Sequence, residues 1–138
     1  MKYPAIAAVL GIALLTGCQN MTEAKPSYAV VSGNVIYFQR VALPPDALVT
    51  VQLKDISRMD ANAVVLGEQR IETNGRQVPI PFEIEYDSSA IDYGMIYAVS
   101  ARIEQGERLL WISDTVHPVI TRGAPTSGID LKVVPARR

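Results

Sequence analysis

Ser113, Asp114 and His117 are the residues that most invite a catalytic reading, and His117 is the only histidine in the chain. A serine nucleophile needs its base within hydrogen-bond reach. On one extended strand Ser113 and His117 would stand about 13 Å apart, at roughly 3.3 Å per residue, so His117 reads as a strand-end residue ahead of Pro118. A second group, Glu83, Glu85 and Asp87, alternates along one segment and so shares an outward face. Its neighbours are about 7 Å apart, too far to chelate one calcium ion without help from another strand, and a solvated acidic face is expected. Structural zinc asks for four Cys or His ligands, whereas the chain has one cysteine and one histidine. There is no glycine-rich phosphate loop or dinucleotide fingerprint. The expectation is therefore a protein without catalytic residues, metal or cofactor.

The remaining reactive group is Cys18, and its setting points to covalent lipid. Met1-Lys2 gives a positive start, residues 5–15 are small and apolar, and Leu15-Thr16-Gly17-Cys18 closes the run. This is the layout of a secretory signal. The apolar run has about ten residues where a membrane-spanning helix needs about twenty, and polar Gln19, Asn20, Thr22 and Glu23 follow at once. Leu15 to Cys18 resembles the bacterial lipobox, in which cleavage leaves the cysteine first and acylated. Gln19 stands where an aspartate would signal inner-membrane retention, so the resemblance favours the periplasmic face of the outer membrane. Cysteine arithmetic agrees, because a lone thiol forms no disulfide within the chain and would be a liability in an oxidising compartment. Several acyl chains bury many methylenes at about 0.8 kcal/mol each, enough for stable anchoring.

Cleavage removes Lys2 from the 13 basic residues and leaves all 14 acidic ones, a net charge of −2. No basic patch of the kind nucleic acid requires is present. About 120 residues make one domain, burying roughly two-thirds of its unfolded surface. The expected organisation is a signal peptide over 1–17, an acylated cysteine and flexible tether over 18–27, and a β-sandwich domain over 28–138.

The elements that must carry any site alternate with a period of two. Val49, Val51 and Leu53 alternate with Thr50, Gln52 and Lys54. Val78, Ile80, Phe82, Ile84 and Tyr86 alternate with Gln77, Pro79, Pro81, Glu83 and Glu85. Both patterns mark half-buried strands. Further strands are expected at 29–39, 63–73, 95–104, 108–116 and 129–134. Turn residues separate them, among them Pro44-Pro45-Asp46, Asn74-Gly75 and Gln105-Gly106. Seven short antiparallel strands read as an all-β sandwich.

Two hairpins can be given a register. A two-residue type I′ turn at Asn74-Gly75 would place Ile71 opposite Val78, Gly67 opposite Phe82 and Val65 opposite Ile84. Gly67 would then make room for the phenyl ring. Pro79 and Pro81 would turn their N–H-less sides away from the partner strand, making their strand a sheet edge protected against strand addition. The turn at Gln105-Gly106 leaves two registers open. A two-residue loop sets Ala101 opposite Leu110 and leaves Trp111 outside, whereas a three-residue loop sets Ala101 opposite Trp111 and sends the indole inward. One residue of slip reverses every side chain, and the usual burial of large apolar residues favours the inward case.

Val41-Ala42-Leu43-Pro44-Pro45-Asp46-Ala47, leading into residues 49–57, then Ile80-Pro81-Phe82-Glu83-Ile84, Ala101-Arg102-Ile103 and Ser113-Asp114-Thr115 through Pro118-Val119, carry a family pattern. These stretches resemble the YbaY-type envelope lipoproteins, which share a domain with the YscW-type lipoprotein chaperones, or pilotins, of type III secretion. The resemblance implies a β-sandwich, a lipid anchor, no catalysis and, for the secretion branch, help to a secretin on its way to the outer membrane.

Two functions follow. One is a non-enzymatic interaction module that is tethered to the membrane by its N-terminal lipid and binds an envelope protein, secretin-like, through a sheet face or a free edge. The alternative is a polysaccharide- or peptidoglycan-binding lipoprotein using Tyr28, Tyr37, Tyr86, Tyr93, Tyr97 and Trp111 as platforms. Those rings occupy strand positions where core packing is the default use. An exposed coplanar pair would favour sugar, and an apolar face would favour protein.

Overall fold

The alternating segments become strands. In the computed structural model, which describes residues 25–58 and 60–137, the strands are β1 (Tyr28–Ile36), β2 (Leu48–Asp55), β3 (Val64–Glu72), β4 (Ile80–Asp87), β5 (Tyr97–Gln105), β6 (Arg108–Ile112), β7 (His117–Val119), β8 (Ile129–Lys132) and β9 (Val134–Pro135), with one 3₁₀ turn at Ser88–Ala90. They form an all-β sandwich. One sheet has the order β4-β1-β8, and the other has the order β3-β2-β5-β6-β9 with β7 also paired to β5. Val31, Val35, Ile80 and Ile84 of the smaller sheet pack in one core with Val49, Val51, Leu53 and Ile103 of the larger. Full burial of each such side chain stabilises the fold by about 1.5–3 kcal/mol.

The edge strands of the two sheets approach each other along both long sides of the sandwich. On one side β8 belongs to the small sheet and β9 to the large one. Buried Val133 lies between them, its N–H donating to the Ile36 carbonyl at 2.9 Å. The predicted strand over 129–134 is thus divided by a change of sheet.

On the other side β3 meets β4, and here the expected hairpin does not form. Asn74 and Gly75 do adopt positive φ, 49° and 84°, and the Arg76 N–H closes the turn on the Thr73 carbonyl at 2.9 Å. Yet β3 pairs with β2 and β4 pairs with β1, so the turn is a corner between sheets. Ile71, Gly67 and Val65 consequently face Val49, Leu53 and Lys54 instead of Val78, Phe82 and Ile84. Two causes act together. Pro79 and Pro81 withhold N–H donors, and the N–H groups of Thr73 and Gly75 are taken by the carbonyls of Ala47 and Pro45.

The edge reading survives in this altered setting, since β4 is the outer strand of its sheet. The Glu83 N–H points to the free side and donates to Gln69 Oε1 of β3 at 2.7 Å. Pro81, two residues away, belongs to the same outward set. Gly67 makes room for a different neighbour than Phe82, because a Cβ there would lie 2.6 Å from Ile84 Cγ2 and 2.8 Å from the Glu85 carbonyl oxygen.

Neither register considered for the second hairpin occurs. Gly106 and Glu107 make the turn, with Gln105 opposite Arg108 and Glu104 opposite Leu109; an irregularity then brings Trp111 opposite Ile103. Leu110 is the extra residue of this bulge. The shift sends the indole inward, and Trp111 is 7% exposed.

Candidate functional site

The residues singled out for chemistry are engaged elsewhere. Ser113 is bound to the backbone of Ala101, whose N–H donates to Ser113 Oγ at 2.7 Å while the Ser113 N–H donates to the Ala101 carbonyl at 2.9 Å. His117 opens β7 opposite Val99, its Nε2 lying 3.1 Å from Thr115 Oγ1. Glu83, Glu85 and Asp87 do share the outward face of β4, their neighbours in sequence being buried except at the strand end. Asp87 is the one with a local partner. The hydroxyl of Ser89, at 2.6 Å, and then its N–H, at 2.9 Å, hold the carboxyl below the usual carboxylate range. Among the described residues no three His, Cys, Asp or Glu side chains gather closely enough to hold a metal. Cys18 and Gln19 lie outside the described residues.

Four of the six aromatic platforms are turned inward, whereas Tyr28 and Tyr93 are exposed. Tyr37, Tyr86, Tyr97 and Trp111 are buried, and Tyr37 and Trp111 cover each other's faces. Burial raises the pKa of the Tyr37 and Tyr86 hydroxyls. Beside the indole, at the tip of the sandwich, is an open cleft of about 370 Å³ lined by Val41, Pro44, Arg108, Leu110 and Pro135.

The concave feature of the large sheet lies on its outer face. Expected as one strand over 108–116, the chain instead ends β6 at Ile112 and resumes pairing with β5 only at His117. Ser113 pins the departure point, and residues 114–116 arch outside the ladder. Thr50, Ala98 and Ser100 form the floor between this arch and β2. Thr50 is only 3% exposed although its side chain lies on the outer side of β2. Two adjoining hollows of about 240 and 250 Å³ share Lys54, Ser100 and Ser113. Together they make a trough running from Ile112 to Val116, and both of these apolar rim residues are exposed.

Charge is unevenly placed around this trough. Arg102 is paired with Glu104 at 3.0 Å, and Gln52 Nε2 donates to Glu68 at 2.5 Å. Lys54, which lines both hollows, makes no ion pair among the described residues. Small floor, apolar rim and one uncommitted cation suit an apolar peptide segment bearing a carboxylate. This trough was not foreseen as a site. The legible signal was the polar break Ser113-Asp114-Thr115 beside a β5 outer face made of Ala98 and Ser100.

Comparison with known proteins bears on the same domain. Residues 26–131 match the family model described as type III secretion system lipoprotein chaperone (YscW). The chain is 39% identical over 108 residues to the uncharacterized lipoprotein YbaY of Escherichia coli (strain K12), an alignment covering 78% of this chain and 56% of that protein. The chain thus spans little more than half the length of that relative. The structure resembles that of an alternative pilotin from the type II secretion system of Vibrio cholerae, with TM-score 0.77 and 40% identity, covering 81% of this chain and all of the pilotin chain.

Proposed function

The chain belongs to the YscW family of lipoprotein chaperones, and on that footing we propose that it is a non-enzymatic envelope lipoprotein that docks a segment of a partner protein in the trough between Ile112 and Val116. The observation that carries this reading is the trough itself, whose small-residue floor and apolar rim leave Lys54 without a partner among the described residues. A face is favoured over an edge because β3 and β4 meet at the corner, the chain passes from β8 to β9 across the two sheets, and β7, which has no outer neighbour among the described residues, is three residues long. The partner class is an envelope protein of a secretion system, secretin-like, in keeping with the pilotin relative. Signal cleavage after residue 17 and acylation of Cys18 would hold the domain on the periplasmic face of the outer membrane, with residues 18–27 as the link.

The test is site-specific photocrosslinking in cells. A crosslinker at Ser100 or Val116 should capture one envelope protein, and Lys54→Glu should lower the yield several-fold. A crosslinker at Glu85, on the opposite sheet, should capture none. Capture from Glu85 and not from Ser100 would overturn the assignment. The anchor is tested separately, since Cys18→Ser should abolish labelling by a fatty acid and Gln19→Asp should move the protein toward the inner-membrane fraction.

A further inference from the structure

The end of the sandwich at which the described chain begins carries exposed apolar side chains that the trough does not use. Tyr28 starts β1 and is 64% exposed, Tyr93 lies in the loop before β5 and is 79% exposed, and Val64 and Val65 open β3, also exposed. Register places the strand residues at one end. Tyr28 pairs with Asp87 at the end of β4, while Val64 pairs with Asp55 at the end of β2, which in turn pairs with Tyr97 at the start of β5. Across the two sheets, Gln69 bonds to Glu83 and Gly67 abuts Glu85, so Val65 and Val64, past the bulge at Leu66, lie toward the Asp87 end of β4. The loop holding Tyr93 is fixed at the same end, because the Arg122 guanidinium donates to the Gly94 carbonyl at 3.4 Å and the Thr121 hydroxyl to the Met95 carbonyl at 2.8 Å.

We infer that this end, with Tyr28, Tyr93 and Val64 foremost, rests on the lipid headgroup surface and sets the orientation of the domain above the bilayer. The inference rests on the proposed acylation of Cys18. Six residues lie between Cys18 and Lys25, where the described chain begins, and the seven steps from one to the other span at most about 25 Å. The end nearest the anchor is therefore confined at high effective concentration against the membrane. Tyrosine suits that position, its ring entering the interface while its hydroxyl stays hydrated. Lys25, Arg58 and Arg122 there are outnumbered by Asp55, Asp60, Asp87 and Asp92, so this end has no excess of positive charge and the contact is apolar, without dependence on anionic lipid.

The test uses the full acylated protein on vesicles of phosphatidylethanolamine and phosphatidylglycerol, 3:1 by design. Acylation consumes the only cysteine, so one introduced thiol takes a spin label uniquely. Labels placed by Tyr93→Cys and Val64→Cys should show raised collision with oxygen and reduced collision with a water-soluble nickel chelate, unchanged by 0.5 M added salt (a chosen condition, of order 5 Å screening length). A label placed by Val41→Cys, at the opposite tip, should remain aqueous. Flotation of the vesicle-bound protein with all three labels equally aqueous would overturn the orientation and leave the anchor standing. Failure to float would overturn both. Protection at residue 93 that disappears when the protein is diluted on the vesicle would assign this end to a second copy and overturn the lipid contact.

Discussion

Tyr37 lies face to face with Trp111, their ring centroids 3.9 Å apart and their planes 7° from parallel. The pair joins the segment just after β1 to the middle of β6, and the Tyr37 hydroxyl donates to the Val41 carbonyl four residues on. Two rings thereby tie the small sheet, the large sheet and the loop at the tip. Trp111→Ala should cost about 3–5 kcal/mol of stability, and denaturant melts of the mature chain measure it. The native emission maximum should be that of a buried indole. A loss under about 1 kcal/mol, or a red-shifted and readily quenched emission, would contradict the stack.

Asn74 and Gly75 hold positive φ at the corner between sheets, a conformation other side chains adopt with strain. Asn74→Ala combined with Gly75→Ala should destabilise the domain by about 1–3 kcal/mol. The transition midpoint in denaturant is the readout. An unchanged midpoint would mean that the corner tolerates another backbone path.

At Gly67 the constraint is contact, since a Cβ would meet Ile84 and the Glu85 carbonyl at under 3 Å. Gly67→Ala should therefore cost about 1–3 kcal/mol, the usual range for overpacking. Ser100→Ala, on the trough floor, should stay within about 0.5 kcal/mol as a surface change. Comparable losses in the two variants would remove Gly67 from the β3–β4 contact.

Asp87 titrates below the ordinary aspartate range because of Ser89. Its folded value lies under its unfolded one, so the stabilisation is complete above the unfolded pKa and disappears as pH falls through the folded pKa. Ser89→Ala should move the carboxyl titration of Asp87 upward, observed by carbon NMR. The same turn holds the chain entry, because Ser88 donates to the Ser27 carbonyl through both N–H and hydroxyl at 2.7 Å. An Asp87 titration unaffected by the substitution would dismiss the hydroxyl as its cause.

The strands were legible because their inward residues alternate, as Val49, Val51 and Leu53 do. Proline was informative too, placing β4 at an edge before its neighbour was known. Turn chemistry was legible only locally, since positive φ at Asn74 and Gly75 does not say which sheet receives the next strand. That was decided by Ala47 and Pro45 accepting the N–H groups of the corner, a long-range contact with no periodic signature. Trp111 was resolved by one bulged residue, Leu110, and bulges leave little trace in alternation. The trough was hidden for a related reason. Its wall exists because residues 114–116 leave a ladder that their composition would have allowed them to continue.

The two ladders of β1 bear on how this domain carries load. From Tyr28 to Val35 the strand is bonded antiparallel to β4, and from Gly33 to Ile36 it is bonded parallel to β8. A pull entering at residue 25 and directed along β1 stretches these hydrogen bonds sideways and together, in shear, instead of opening them one after another like a zipper. The strand nearest the chain entry is thus the central strand of its sheet, and the domain resists being stripped from that end. A domain dragged by one end while its large sheet grips a cargo would meet the force where its backbone is most evenly braced.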